Sequence, residues 1–320
     1  MTKMPAAAKR ILADGEFCYV AVATRSGPHL TPVVFAMDGG RMWLTTARGS
    51  VKARAWKADR RVAGMVRVAD RALAFRGTVK VYDALDPFTW PSAVLASPRL
   101  GKAATKFSLR NARFFFGYAM DAYRVPLAWA PPGRVFVRVD LAAARLVDLA
   151  EGTIEDGWGE WPRGLTAATT FAEPAQPDRL GAEIPASILR AVGESGEGAI
   201  ATDPGELTVL PAWYELAGGS FEIHMPLPFA QLTKARPRTP AALVIDRASA
   251  WRAAEMRGLL VRGQAEAYAP GLTRRGVAAL RRRVPDGDAL FRLTPDRAVW
   301  WEGWTSRTVA LARRGKARTG

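Results

Sequence analysis

Residues 41–61 read RMWLTTARGSVKARAWKADRR. Met42, Trp43, Leu44, Thr45 and Thr46 have the aromatic and β-branched character of a strand. Ala47, Arg48 and Gly49 make a turn, and Ser50 stands at a helix N-cap, where its hydroxyl can accept a bond from an orphan first-turn N–H. A strand–turn–helix start presents N–H groups and the positive end of the helix dipole, which suits an anion. Arg48, Lys52 and Arg54 add full charges that suit a phosphate. A solvated basic helix face has the same composition, so these residues alone leave both readings open.

Working outward, Phe17–Thr24 and Leu30–Met37 are predicted strands around the turn Arg25-Ser26-Gly27. Asp38-Gly39-Gly40 is a hairpin signal leading into the strand of the opening stretch. Pro5–Ala13 is a predicted helix, and Val62–Val68 and Ala72–Tyr82 are further strands. Residues 86–130 break the pattern with Pro87, Pro91, Pro98 and the run Phe114-Phe115-Phe116, and read as a partly helical insertion. Val135–Val139 is the strand that closes the first half.

The second half repeats this plan. Gly181–Gly193 is again a helix, Ala199–Thr202 a strand and Asp203-Pro204-Gly205 a turn. From residue 31 to 66 the halves align without a gap at an offset of 179, with Pro211 under Pro32 and Gly218-Gly219 under Gly39-Gly40. Leu210–Leu216 then falls under Thr31–Met37, and Phe221–His224 under Met42–Thr45. Arg262-Gly263 matches Arg76-Gly77 after seven extra residues, and Leu290–Leu293 matches the strand at 135–139. The chain therefore divides into residues 1–150, a linker over 151–180, a second copy over 181–312 and a basic tail over 313–320. The expected fold class is mainly β (α+β): two tandem antiparallel β domains.

Composition bounds the rest. The chain has 320 residues, 49% hydrophobic and 24% charged, an ordinary globular balance. No apolar run reaches the roughly 18–20 residues of a membrane helix, and the N-terminal stretch lacks the apolar core of a secretory signal. With Cys18 as the sole cysteine, neither an intrachain disulfide nor a thiolate metal cluster can form. A cytoplasmic protein with no membrane partner is expected. The net charge of +16 attracts anions in general. Arginine in an alanine-rich chain is weak evidence for nucleic acid, and no nucleic-acid partner is expected.

The order helix, hairpin, strand–helix crossover and further antiparallel strands resembles the flavin-binding split barrel of the pyridoxamine 5'-phosphate oxidase-like superfamily, the flavin/deazaflavin oxidoreductases. The resemblance covers most of both halves but not 86–130. It implies that Arg48, Ser50, Lys52 and Arg54 hold a cofactor phosphate, while Thr31, Pro32 and Val33, with Thr45 and Thr46, line the flavin ring. Trp300-Trp301-Glu302-Gly303-Trp304-Thr305-Ser306-Arg307 resembles the family's tryptophan–glutamine–glycine segment. That implies flavin contact by Trp301 and substrate contact by Arg307. Glu302 replaces the glutamine and the family's later histidine–aspartate–arginine run is missing, which argues against pyridoxamine phosphate as the substrate. A closing strand with one tryptophan in the core and one at an interface would read the same way.

Superfamily barrels pack as dimers with the flavin across the interface, so a fused repeat implies an intrachain pseudo-dimer, with further homodimerisation open. At offset 179, Arg48, Ser50, Lys52 and Arg54 become Leu227, Phe229, Gln231 and Thr233, and no cation remains. A phosphate buried there would be unpaired and strongly disfavoured, so one site is expected. The implied function is hydride transfer through FMN, or through the deazaflavin F420, to a small-molecule substrate. No catalytic residue and no metal ligand can be assigned. A binding or storage protein for flavin, deazaflavin or haem is the alternative, with His29 and His224 the two histidines available to haem. No G-x-S-x-G, G-x-G-x-x-G or Walker pattern is present.

Overall fold

The computed structural model describes residues 4–86, 90–120, 133–166, 180–217, 219–247, 252–268 and 288–311. The first half holds α1 (Ala6–Asp14), β1 (Phe17–Val22), β2 (His29–Asp38), β3 (Arg41–Ala47), α2 (Val51–Ala58), β4 (Arg61–Val68), β5 (Arg71–Tyr82), α3 (Trp90–Arg110), α4 (Ala112–Met120), β6 (Arg134–Asp148) and β7 (Thr153–Trp158). The second holds α5 (Leu180–Glu183), α6 (Ala186–Val192), β8 (Ser195–Thr202), β9 (Thr208–Ala217), β10 (Ser220–Pro226), α7 (Leu227–Leu232), β11 (Thr239–Arg247), β12 (Arg257–Tyr268), β13 (Asp288–Glu302) and β14 (Thr305–Ala310). Each half is one antiparallel sheet, in the orders β3-β2-β1-β4-β5-β6-β7 and β10-β9-β8-β11-β12-β13-β14. Pairing of β3 with β6, and of β10 with β13, closes six strands of each into a barrel.

The repeat is exact at the level of strands. β2 and β3 recur at offset 179 as β9 and β10, β5 recurs at 186 as β12, and β6 recurs at 154 as β13. Both copies bulge at one place, between Arg76 and Gly77 and between Arg262 and Gly263. A Cβ at Gly77 would lie 2.1 Å from the Asp140 carbonyl oxygen, and one at Gly263 2.0 Å from that of Thr294. Glycine is required there because a neighbouring backbone crosses where a side chain would start.

Several expectations shift. The strand at 135–139 runs on to Asp148, and β7 occupies the start of the expected linker. The predicted helix 181–193 is broken into α5 and α6 at Pro185, which caps the second piece. α7 starts directly after β10, whereas a three-residue turn, Arg48 to Ser50, separates β3 from α2. Residues 86–130 contribute α3 and α4. The ends of that insertion, Gly218, residues 167–179 and the tail lie outside the described residues.

Alternation along the strands explains how the barrels meet. Val20, Val22, Val62, Val66, Leu73 and Phe75 point into the first barrel's core. Their neighbours Ala21, Ala63, Met65, Ala72 and Ala74 belong to a cluster shared with the second barrel, centred on Leu210, Phe221, Leu243 and Phe291. Four of those five are alanine, so the outer face of β1, β4 and β5 admits close approach. Symmetric polar contacts pin the pair. Arg262 donates to Thr24 Oγ1 (2.7 Å), Ser26 Oγ (3.0 Å) and the Gly27 carbonyl (2.9 Å) in the β1–β2 turn. Its counterpart Arg76 donates to the Leu207 carbonyl (3.1 Å) and pairs with Glu206 in the β8–β9 turn. Tyr19 donates to Asp246 (2.9 Å) and Arg67 pairs with Glu197 (2.5 Å) across the same face.

Candidate functional site

A cleft of about 510 Å³ opens between the barrels. One wall comes from the first barrel: His29 and Thr31 to Val34 on β2, Thr45 to Ala47 on β3, Gly49, Ser50 and Lys52 at the start of α2, and Arg134 on β6. The other comes from the second barrel: Leu260 on β12, Val299 and Trp301 on β13, with Met256, Gly303 and Ser306 at the rim. Phe17 and Phe114 close one side, so the insertion contributes through α4.

The anion end is built as a capped helix start. Ser50 Oγ accepts the Ala53 N–H at 3.1 Å and lies 3.0 Å from Thr46 Oγ1. Gly49, Ser50 and Lys52 line the cleft, so the helix start, with its positive dipole end, lies beside it. Lys52, the second residue of α2, is buried and donates to Thr31 Oγ1. Burial, reinforced by the charge of Arg134, lowers its pKa to about 8. Arg134 donates to Thr45 Oγ1 (2.9 Å) and to the Thr45 carbonyl (3.1 Å), fixing its guanidinium beside the strand end. Among the described residues no Asp or Glu lines the cleft, and its two charged lining residues, Lys52 and Arg134, are both cations.

Deeper along β2, His29, Thr31 and Val33 share one face by strand alternation. His29 is 8% exposed, and its Nδ1 has no hydrogen-bond partner among the described residues. Burial, with Lys52 and then Arg262 nearby, pulls its pKa down to about 3, so the imidazole is neutral near pH 7. Opposite, Trp301 lies across β12 where Gly258 leaves room. A Cβ at Gly258 would sit 2.3 Å from Trp301 Cζ2 and 2.8 Å from the Ile245 carbonyl oxygen.

Of the residues singled out from sequence, Thr31, Pro32, Val33, Thr45, Thr46, Ser50, Lys52 and Trp301 line this one cleft. Arg48, Arg54 and Arg307 do not. Arg48 turns back to a nearly buried Asp83 through Nε contacts of 2.8 and 2.9 Å, which consumes its charge. Arg54 and Arg307 point to solvent, Arg54 because it lies on the outer face of α2. Trp300 packs against the shared core. Arg134, Phe114 and the second-barrel residues Leu260 and Val299 were not foreseen, and His29 entered the sequence reading only as a histidine available to haem. Arg134 reaches the site only because β6 pairs with β3, Ala47 opposite Arg134, across a long insertion.

The same places in the second barrel are filled. Leu210 replaces Thr31, Phe229 replaces Ser50 and Met225 replaces Thr46, and none of the three is exposed. Pro226 caps α7 without a side-chain bond, and α7 contains no cation, so a shift of the helix alignment recovers none.

Residues 5–96 match the family model described as pyridoxamine 5'-phosphate oxidase. No curated protein matches the chain. Among solved structures, an F420 reductase is similar with 23% identity over 44% of this chain and 98% of its own, at a TM-score of 0.30. A pyridoxamine 5'-phosphate oxidase-related, FMN-binding protein from Nostoc punctiforme has 14% identity over 47% of this chain and 87% of its own, at 0.34. A FAD-binding protein from Mesorhizobium loti has 15% identity over 45% and 94%, at 0.33. Each spans less than half of this chain. The family match falls in the first half, and the closed six-strand sheet of that half recurs in the second, so the chain is a tandem repeat of one antiparallel barrel whose first copy is similar to the pyridoxamine 5'-phosphate oxidase family.

Proposed function

We propose that the cleft holds one phosphorylated flavin-type cofactor per chain, FMN in the first instance, and that the protein is an oxidoreductase acting on a small molecule. The observation that carries this reading is buried Lys52 beside half-buried Arg134 and Ser50 at the α2 start, on one wall of a two-barrel cleft whose described lining contains no Asp or Glu. A dianionic phosphate there meets two cations and helix amides, whereas a neutral ligand leaves a buried ammonium unpaired. The residues present fit the group: the orphaned His29 Nδ1 and the Thr45–Thr46 edge offer polar contacts, and Trp301, Val33 and Leu260 offer apolar faces for a ring system.

Bound there, a flavin or deazaflavin supplies hydride transfer. The chain's part is to bind, orient and exclude water. Lys52 and Arg134 hold the phosphate end, β2 and β3 line the ring's edge, and Trp301 with Phe114 covers the cavity. Exposed Arg54 and Lys57 lie on the same helix, Lys57 within 3.7 Å of Asp86, and are cations that the longer acidic tail of F420 could use, which keeps the deazaflavin as second reading.

The absorption spectrum of the purified or reconstituted protein, with mass spectrometry of the released ligand, tests the proposal. A flavin or deazaflavin band at one ligand per chain is expected. A haem band would instead make His29 an axial ligand, and absence of any binding on reconstitution overturns the reading. Reduction that bleaches the ligand, followed by reoxidation with turnover on an added acceptor, separates an enzyme from a storage protein.

A further inference from the structure

The relation that sets β2, β3 and α2 against β12 and β13 around the cleft also sets β9, β10 and α7 against β5 and β6. At that counterpart position stands a side chain from outside both sets. Trp161, just after β7, is 7% exposed and donates its indole N–H to the Leu232 carbonyl on α7 at 3.0 Å. The guanidiniums of Arg145 and Arg76 lie over its ring at 5.7 and 5.8 Å. Arg145 occupies the place on β6 that Val299 occupies on β13, and Arg76 the place of Arg262. The segment then runs along the second barrel: the Gly164 N–H donates to the Gln231 carbonyl (2.8 Å) and the Thr166 N–H to that of Ala235 (2.9 Å).

We propose that residues 159–166 are an intrachain ligand. Trp161 fills the second binding site that the repeat generates, a site suited to a planar aromatic carrying negative charge. Burial of the indole is satisfied at both its parts: the N–H has an acceptor and the π face meets two cations. The anionic preference comes from Arg145. Its hydrogen bonds go to the carbonyls of Ala144 (2.7 Å), Trp158 (2.9 Å) and Gly159 (3.0 Å), and no carboxylate pairs with it among the described residues. The site does not depend on which ligand the open cleft takes.

Trp161→Ala tests it, with indole and indole-3-acetate as probes. The variant is expected to melt lower than wild type, and millimolar indole should raise its Tm by several degrees while leaving wild type unmoved. Indole-3-acetate should bind the variant at least about threefold tighter than indole, and Arg145→Leu in the same background should abolish that preference. An unresponsive variant, or equal shifts in variant and wild type, overturns the proposal. If Trp161→Ala fails to fold, hydrogen exchange of the Trp161 indole N–H in the intact protein decides. Exchange slowed to the rate of global opening supports seating in the core, and exchange at the rate of free indole overturns it. A protein that passes these tests yet binds no flavin refutes the proposed function alone.

Discussion

The two barrels have the same strand order, the same closing pair and the same bulge, yet one presents an open basic cleft and the other a filled one. The scaffold rests on alternating apolar residues spread over many strand positions, any of which tolerates a similar side chain. The proposed ligand chemistry rests on a few positions at strand ends and one helix start. Exchange of Thr31, Thr46, Ser50 and Lys52 for Leu210, Met225, Phe229 and Gln231 turns a polar cavity into core without disturbing the sheet. Fold and site are therefore separable properties of the same strands.

The comparison breaks first at its cations. Lys52→Ala with Arg134→Ala removes two charged contacts of about 1.5–3 kcal/mol each, so cofactor affinity should fall between about 150- and 25,000-fold in a ligand titration. A loss as large from Gln231→Ala, expected to stay within about twofold, would show that both copies bind. Next comes His29, whose counterpart Thr208 cannot titrate near neutrality. With its folded pKa lowered to about 3, the unfolded chain takes up the proton first as pH falls below the ordinary 6.5. His29 therefore weakens the fold progressively between those values. Relative to wild type, His29→Gln should gain about 3 kcal/mol on going from pH 7 to pH 4, read from denaturant midpoints. Equal pH profiles would mean the imidazole is not buried.

Gly258→Ala pushes a methyl group into Trp301, whereas the counterpart Ala72 already carries one beside the smaller Val147. A destabilisation of about 1–3 kcal/mol is expected, with ligand affinity reduced alongside it. Unchanged binding would remove Trp301 from the site. The smallest effect belongs to Lys52. Its pKa of about 8 means that phosphate affinity should decline by up to about tenfold per pH unit above that value and stay level from there down to about pH 6, where the phosphate itself takes up a proton. A flat profile to pH 10 would place the phosphate elsewhere.

The doubled β architecture was legible because hairpin turns and strand alternation leave local marks, and because two copies under one offset check each other. The helix start at Ser50 was legible from its own residues, a glycine turn followed by an N-cap serine, although the second copy starts its helix differently. What escaped was non-local. Arg134 is remote in sequence from Thr45 and is joined to it only by barrel closure. His29 carries no neighbour in sequence that distinguishes a cleft wall from any strand residue. Trp161 sits in a stretch whose glycine, proline and glutamate suggest a linker, and its role depends on a surface formed by α7, β5 and β6 together. Arg48 shows the converse error. Its position in a basic run suggested a ligand, but Asp83, past two further strands, claims its charge.

The grip of Arg262 on the β1–β2 turn has a consequence for concentration. Where two walls of a cavity belong to separate molecules, dilution pulls the cavity apart. Here the second wall is tethered, and its effective concentration at the first is set by the connecting chain, in the millimolar range or above. Assembly of the cleft is thus a unimolecular event. Ligand retention per chain should be the same at nanomolar protein as at micromolar, and a chain cut between the barrels should regain dependence on dilution.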